Sequence, residues 1–489
     1  MKKTHIHFSG ICGTAMASAA VLLKKAGFKI TGSDENFYPP MGDYLKDNNI
    51  ELFKGYGAQN LNDKPNLIVI GNALSRKNIE VEEILNKRMP FCSLPELIKN
   101  YILKDSLPIV ISGTHGKSTT TALLAWVLET ADKKPGYLFA AKSLNFKDNA
   151  NMPQKNGFFV IEGDEYDTAF FDKRSKFLHY MPQYLFINNL EFDHGDIFNS
   201  LDEILLSFKR LVNIVPQNGK IFVNGDDKNI QKVTQNALCE IVSFGFSKNC
   251  GWKLLKIKHA ENGIYFNIEN NGKIWENIYL PLAGRHNALN ALSVFAAAID
   301  MQISAETVIK AFSTFKGLKR RLELFAKKEE TYFYDDFAHH PTAIEAVLSS
   351  VKERHKKYAI IAVLDLRSNT MVKNIFKKEI TSALKKADVV ILGKIHRKEK
   401  IPVKERLDIK YIIQNLKKEN TQAFHIEKTE EIAKKIINFL ELNNVKKNKS
   451  MLHTSIHPIQ KKSNSNKNVV LLMSNGSFDG LKEKICGLI

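Results

Sequence analysis

Pro108-Ile109-Val110-Ile111-Ser112-Gly113-Thr114-His115-Gly116-Lys117-Ser118-Thr119-Thr120 decides how this chain is read. The short apolar, β-branched run is the pattern of a buried strand, and from Lys117 an apolar helical pattern continues through Leu128. Between them two glycines free the backbone for a tight turn. Strand, glycine turn and helix in this order form a phosphate loop in the context it requires. Backbone N–H groups close on phosphate oxygens at the helix N-terminus, Lys117 adds a point charge, and the Ser118 hydroxyl can sit on Mg²⁺. The loop is a shortened version, because Ile111 stands where the first glycine of the longer pattern would fall. Gly113, Thr114, His115, Gly116, Lys117, Ser118 and Thr119 are the expected nucleoside triphosphate contacts.

Working outward, Phe158-Phe159-Val160-Ile161 delivers Glu162 to a strand end, with Asp164, Glu165 and Asp167 close behind. A carboxylate beside a phosphate loop is where a metal bridging β- and γ-phosphates takes its protein ligand. The strand Tyr184 to Ile187 runs into Asn188-Asn189-Leu190-Glu191-Phe192-Asp193-His194, which sets His194 at the same sheet edge, either as a ligand or as a structural imidazole. Asn287 and Asn290 are three apart at the start of an Ala-rich helix. They read either as a base-edge pair or as an N-cap and a polar surface residue.

Toward the N-terminus, the strand Thr4 to Phe8, the turn Gly10-Ile11-Cys12-Gly13-Thr14, a helix through Lys25 and a second strand ending at Asp34 follow a dinucleotide-fold order. The full glycine fingerprint is missing, since Cys12 and Ala15 occupy two of its positions, so an ordinary tight turn stays open as a reading. The strand Leu67 to Ile70 ends at Gly71-Asn72. Toward the C-terminus, Thr331 to Tyr334 leads into Asp335-Asp336-Phe337-Ala338-His339-His340-Pro341-Thr342, and Tyr358 to Leu364 leads into Asp365-Leu366-Arg367-Ser368-Asn369-Thr370. Further strands near Val389 to Leu392 and Val469 to Met473 imply a second open parallel sheet. The polar, Lys/Asn/Ser-rich stretch 444–467 reads as a solvated insertion.

A length of 489 residues suits about three domains. A formal charge of +19 suits anionic ligands, nucleic acid or an acidic surface. The basic residues gather at helix ends and in the late insertion rather than in a stripe with aromatics, which argues against a nucleic-acid groove. Five scattered cysteines give neither a disulfide framework nor a four-ligand zinc site. No run reaches the length of a membrane span.

The ordered set Gly113-Thr114-His115-Gly116-Lys117-Ser118, Glu162, His194, His286-Asn287 and Asp335-Asp336-Phe337-Ala338-His339-His340-Pro341-Thr342 resembles the Mur ligases, the ATP-dependent amide-forming ligases of bacterial cell-wall synthesis. The resemblance spans nearly the whole chain. It implies an α/β protein of three domains: an N-terminal Rossmann-like domain at 1–105 for UDP-N-acetylmuramate, a central P-loop ATPase domain at 106–318, and a C-terminal Rossmann-like domain at 319–489. The last would bind the incoming peptide and close on ATP.

Within the muramate-attaching branch one member adds L-alanine and another adds the murein tripeptide L-alanyl-γ-D-glutamyl-meso-diaminopimelate. The longer strings resemble the second: Tyr38-Pro39-Pro40-Met41, Asp164-Glu165-Tyr166-Asp167 and Arg367-Ser368-Asn369-Thr370-Met371. Ser118 replaces the family's usual Thr and keeps its hydroxyl, and Leu366 stands where Pro is expected.

By resemblance, Lys117, Glu162, His194, Arg321 and His340 carry the catalysis. Ser118 and Glu162 hold a first Mg²⁺ and His194 a second. Arg321 reaches the γ-phosphate, and Asp336 with Asn287 or Asn290 holds the nucleoside. Gly10, Cys12, Gly13, Thr14, Asp34 and Asn72 face UDP-N-acetylmuramate, while Arg367, with Asn369, clamps a carboxylate of the tripeptide. The roles of His339 and His340 stay joined, and Lys209 is the position to inspect for a carbamylated metal ligand. A cytoplasmic enzyme with no obligate protein partner is expected.

Overall fold

The computed structural model describes residues 3–445 and 467–489. Three large sheets organise them, with a two-stranded ribbon of Asp167–Ala169 and Asp172–Ser175 beside them, and each large sheet begins from apolar runs of the kind that a sheet covered on both faces accommodates. In the first, His5–Ser9 is central, flanked by Lys29–Asp34 and Glu51–Lys54 on one side and by Leu67–Ile70 and Phe91–Ser93 on the other, all parallel. The chain order reverses at His5–Ser9, so a crevice opens beyond its C-terminal end, where Gly10 turns at φ +83°.

The second sheet has ten strands. Its parallel core pairs Leu107–Ser112 with Phe158–Gly163 on one side and Tyr184–Ile187 on the other. It continues through Lys220–Asn224 and Glu240–Gly245 into an antiparallel ribbon, Trp252–Ala260, Gly263–Asn270 and Lys273–Leu280. The helices Lys117–Thr130 and Arg285–Asp300 cover one face, burying Leu123, Leu124, Ala291 and Phe295 in one apolar cluster with Phe186 and Phe222.

The third sheet has six strands, five of them parallel and the edge strand Glu323–Lys328 antiparallel, so the expectation of a fully parallel sheet is corrected at that edge. A short connection from Lys328 to Thr331 returns the chain directly beside itself, which only an antiparallel pair allows. Two strand ends also run further than the sequence pattern implied. Asp335 and Asp336 belong to the strand Thr331–Asp336, paired with Leu472 and Met473, and Asp365 and Leu366 to Ala359–Leu366, where Leu366 pairs with Ile395 across a register irregularity at Asp365. Of the polar stretch 444–467, residues 446–466 lie outside the described residues. The chain re-enters as Asn468–Met473, paired on both sides at the sheet's centre.

The C-terminal ends of strands from all three sheets meet at one cavity of about 1580 Å³.

Candidate active site

The phosphate loop sets the middle of the cavity. Gly113 sits at φ +124° and Gly116 at φ +82°, left-handed conformations that side chains rarely adopt, and a Cβ on Gly116 would lie 2.8 Å from Asn290 Oδ1. The helix beginning at Lys117 has no side-chain cap, so its first N–H groups are left for an anion. Asn189 braces the loop: its backbone oxygen accepts from Thr114 N at 3.0 Å and its Oδ1 from His115 N at 2.7 Å.

Around the loop, charges are paired tightly. Lys117 Nζ donates to Gly113 O at 2.8 Å and lies 2.6 Å from Glu165 Oε2. Burial works against the Lys117 ammonium, but Glu165 and Asp164 outweigh it and raise its pKa, so it stays charged. His194 Nε2 meets the other oxygen of Glu165 at 2.9 Å. The Ser118 hydroxyl donates to Glu162 Oε2 at 2.8 Å, and Glu162 Oε1 accepts from Ala140 N at 3.0 Å. Burial nonetheless pushes the Glu162 carboxyl upward.

Facing the loop from the third sheet, Arg321 stacks over the Phe337 ring at 5.2 Å, in a turn where Arg320 and Leu322 both have positive φ. Asp336 accepts from Leu322 N at 2.6 Å and from Ala338 N at 2.7 Å, which fixes the turn to the strand end. His339 is pushed down to about 4 by burial. Asn287 Nδ2 donates to Ala283 O at 2.7 Å, and Asn290 is buried behind it. The two domains touch along the strand-end loop 189–196. Thr342 Oγ1 donates to Glu191 at 2.6 Å, Thr370 Oγ1 to Asp193 at 3.2 Å, and Asn369 Nδ2 to Asp196 at 2.8 Å.

At the far end, the Cys12 amide donates to Asp34 Oδ2 at 2.9 Å, closing the turn over the second strand. Below it Glu80, fully buried, accepts from Ser9 at 2.7 Å, Ser33 at 2.6 Å and Asn60 at 2.6 Å. Asn72 Nδ2 donates to Asp167 O at 3.0 Å and so touches the central domain.

Residues 5–104 match the Mur ligase family catalytic domain, 111–298 the Mur ligase middle domain, and 320–445 the Mur ligase glutamate ligase domain. The chain is 41% identical over 390 residues to the UDP-N-acetylmuramate--L-alanyl-gamma-D-glutamyl-meso-2,6-diaminoheptandioate ligase of Escherichia coli (strain K12), covering 79% of this chain and 84% of that protein. It belongs to the Mur ligase family. A UDP-N-acetylmuramate--L-alanine ligase of Pelagibacter ubique is 31% identical, over 88% of this chain and 92% of that one. The fold superposes on a murein peptide ligase from Psychrobacter arcticus with a TM-score of 0.70 at 29% identity, covering 99% and 98% of the two chains.

As a Mur ligase, the chain gathers most of the residues its motifs single out. Gly10, Gly13, Thr14, Asp34, Asn72, Thr114 to Thr119, Glu162, His194, Asn287, Asn290, Arg321, Asp336, His340, Arg367 and Asn369 all line the cavity. Four expectations change. Gly113 does not line the cavity, and its carbonyl oxygen instead accepts from Lys117 within the loop. Cys12 gives its backbone to the turn while its side chain packs against the first core, so it does not line the cavity. Lys209 is exposed on the helix Leu201–Val212 and does not line the cavity. Arg367 does line the cavity, yet its guanidinium is engaged: Nε donates to Asp365 at 3.1 Å and Nη2 to Asp479 at 2.8 Å. Glu165, Glu191 and Asp479 escaped assignment because each matters through a partner far away in sequence.

Proposed function

We propose that this chain joins the tripeptide L-alanyl-γ-D-glutamyl-meso-diaminopimelate to UDP-N-acetylmuramate at the expense of ATP, in the cytoplasm, as a peptidoglycan-recycling step. The observation that carries the reading is the single cavity shared by a phosphate loop, a nucleotide-type turn and an arginine at a third sheet's edge. A carboxylate and an amine do not condense in water at a useful rate. The lactyl carboxylate therefore attacks the γ-phosphorus, ADP leaves, and the alanyl amine attacks the resulting acyl phosphate. Collapse of the tetrahedral adduct expels phosphate, and the amine's proton is lost to solvent.

Both steps concentrate negative charge, so fixed positive groups do most of what the protein must do. Lys117, already inside the loop, transfers its attraction from Glu165 to the incoming phosphates. Arg321, its guanidinium over the Phe337 ring, lines the same cavity. Asp336 and the pair Asn287 and Asn290 hold the nucleoside. Ser118 and Glu162 present hard oxygens 2.8 Å apart, donors that fit a first Mg²⁺, while His194, paired with Glu165, is the candidate for a second ion. When bound, the ion would neutralise charge on the β- and γ-phosphates. Arg367 receives a tripeptide carboxylate by exchanging it for Asp479.

The second reading, addition of L-alanine, rests on the 31% identical relative. Against it stand the 41% identical tripeptide ligase and the Arg367-Ser368-Asn369-Thr370-Met371 string. ADP release from UDP-N-acetylmuramate and ATP, measured with tripeptide and with L-alanine in turn, decides between them. Turnover with L-alanine alone would reverse the assignment.

A further inference from the structure

His115, Glu191 and His340 bring two imidazole nitrogens and a carboxylate oxygen within 4.8 Å of one another at the seam between the central and C-terminal domains. His115 Nε2 lies 3.4 Å and His340 Nδ1 3.7 Å from Glu191 Oε2, and the rings are 4.7 Å apart between centroids. These separations are too long or too poorly aimed for hydrogen bonds: among the described residues neither nitrogen has a hydrogen-bond partner, although both atoms are buried. A ligand bond of 2.0–2.2 Å to a four-coordinate ion puts donor atoms roughly 3.3–3.6 Å apart, close to what two of the three pairs already show.

The surroundings prepare the lone pairs. His340 is 5% exposed, and its Nε2 sits 3.2 Å from the Phe192 carbonyl oxygen, which can only accept. The proton is therefore on Nε2, and Nδ1 aims a lone pair at Glu191. An imidazole that donates its other N–H to a backbone carbonyl is the usual support behind a metal-ligating histidine. Thr342 Oγ1 donates to Glu191 Oε2 at 2.6 Å and holds that carboxylate in place.

We propose that His115, Glu191 and His340 form a binding site for a borderline transition-metal ion of the Zn²⁺ class, separate from the oxygen-rich set of Ser118 and Glu162. Two nitrogens and one oxygen suit such an ion and not Mg²⁺. Two ligands belong to the central domain and one to the C-terminal domain, so the ion fastens one to the other. It also engages a side chain of the phosphate loop, His115.

Co²⁺ is the probe, added to the full-length protein in excess Mg²⁺, with binding read by equilibrium dialysis and by the visible absorption of nitrogen-ligated Co²⁺. The wild type retains one equivalent per chain. His115→Ala and His340→Ala each weaken retention by at least roughly tenfold, since loss of a supporting partner alone costs about that much. Failure of the wild type to hold Co²⁺ against Mg²⁺ overturns the site, whatever the variants do. Undiminished binding in both folded variants places the ion elsewhere and overturns it equally. Neither readout depends on which amino component the enzyme ligates.

Discussion

Arg367 carries the sharpest test of substrate choice. Its fork is held by Asp365 and Asp479, and Asp365 in turn accepts from Ser474 at 2.7 Å and meets His396 at 2.8 Å, so the guanidinium is oriented before any substrate arrives. A charge-assisted bidentate contact is worth about 1.5–3 kcal/mol, or roughly ten- to a hundredfold in affinity. Arg367→Lys keeps the charge and loses the fork. Its Michaelis constant for tripeptide should rise by about that factor while those for ATP and UDP-N-acetylmuramate hold; steady-state kinetics on all three substrates would show whether the effect moves to ATP instead. Glu162 presents a different case, because it is the carboxylate that accepts from the Ser118 hydroxyl. Glu162→Ala should lower turnover by orders of magnitude, and titrating Mg²⁺ to saturation should not restore it; near-normal rates would remove Glu162 from the metal set. Most of these positions were legible because chemistry-bearing residues follow apolar runs directly. Glu191 was not, since its partners His115 and His340 lie on other strand ends and only the fold unites them.

At the level of elements, the helix Pro341–Arg354 begins on the site and ends on a buried pair. Its C-cap, His355, places Nε2 3.0 Å from the Tyr334 hydroxyl. Burial, aided by the charge of Arg354, pushes this imidazole down to about 4, well below its value near 6.5 in the unfolded chain. The folded state thus binds fewer protons than the unfolded one over that interval. Stability is full above about pH 6.5 and declines as the pH falls toward 4. His355→Gln, which retains a hydrogen-bonding partner for Tyr334, should lower the neutral-pH melting temperature modestly and flatten its fall between pH 7 and 4. Thermal unfolding of both proteins across that range checks it; parallel curves would assign the acid loss to other groups. Strands such as Tyr184–Ile187 could be read from sequence because they are uniformly apolar. The ribbon Trp252–Ala260, Gly263–Asn270 and Lys273–Leu280 could not. Its exposed positions, including Lys256 and Glu276, interrupt the apolar signal, and two irregular registers break strict alternation.

For the whole molecule, the separation of the first sheet from the phosphate loop predicts separable binding events. Lys117→Ala should abolish ligation while UDP-N-acetylmuramate binding, followed by calorimetry, stays close to wild type. Loss of both in a folded variant would mean that the Gly10 turn is not the nucleotide-sugar site. Three domains and their order were readable because each carries its own apolar strands running directly into polar, chemistry-bearing turns. The contact between domains along 189–196 was not, being built from single hydrogen bonds between residues with no local pattern.

The strand Asn468–Met473 is the last of its sheet in sequence and sits at the centre in space, with Thr331–Asp336 on one side and Ala359–Leu366 on the other. During synthesis those two strands leave the ribosome more than a hundred residues before the one that joins them. Until it emerges, the nascent chain carries a split sheet with two apolar edges and no means of closing it, a state open to misassociation. A message cut short after residue 445 would therefore yield no folded third domain. Its first two domains should still fold and retain UDP-N-acetylmuramate, and limited proteolysis should digest only the portion beyond 319. A protease-resistant third domain in that product would mean that the sheet closes without its middle strand.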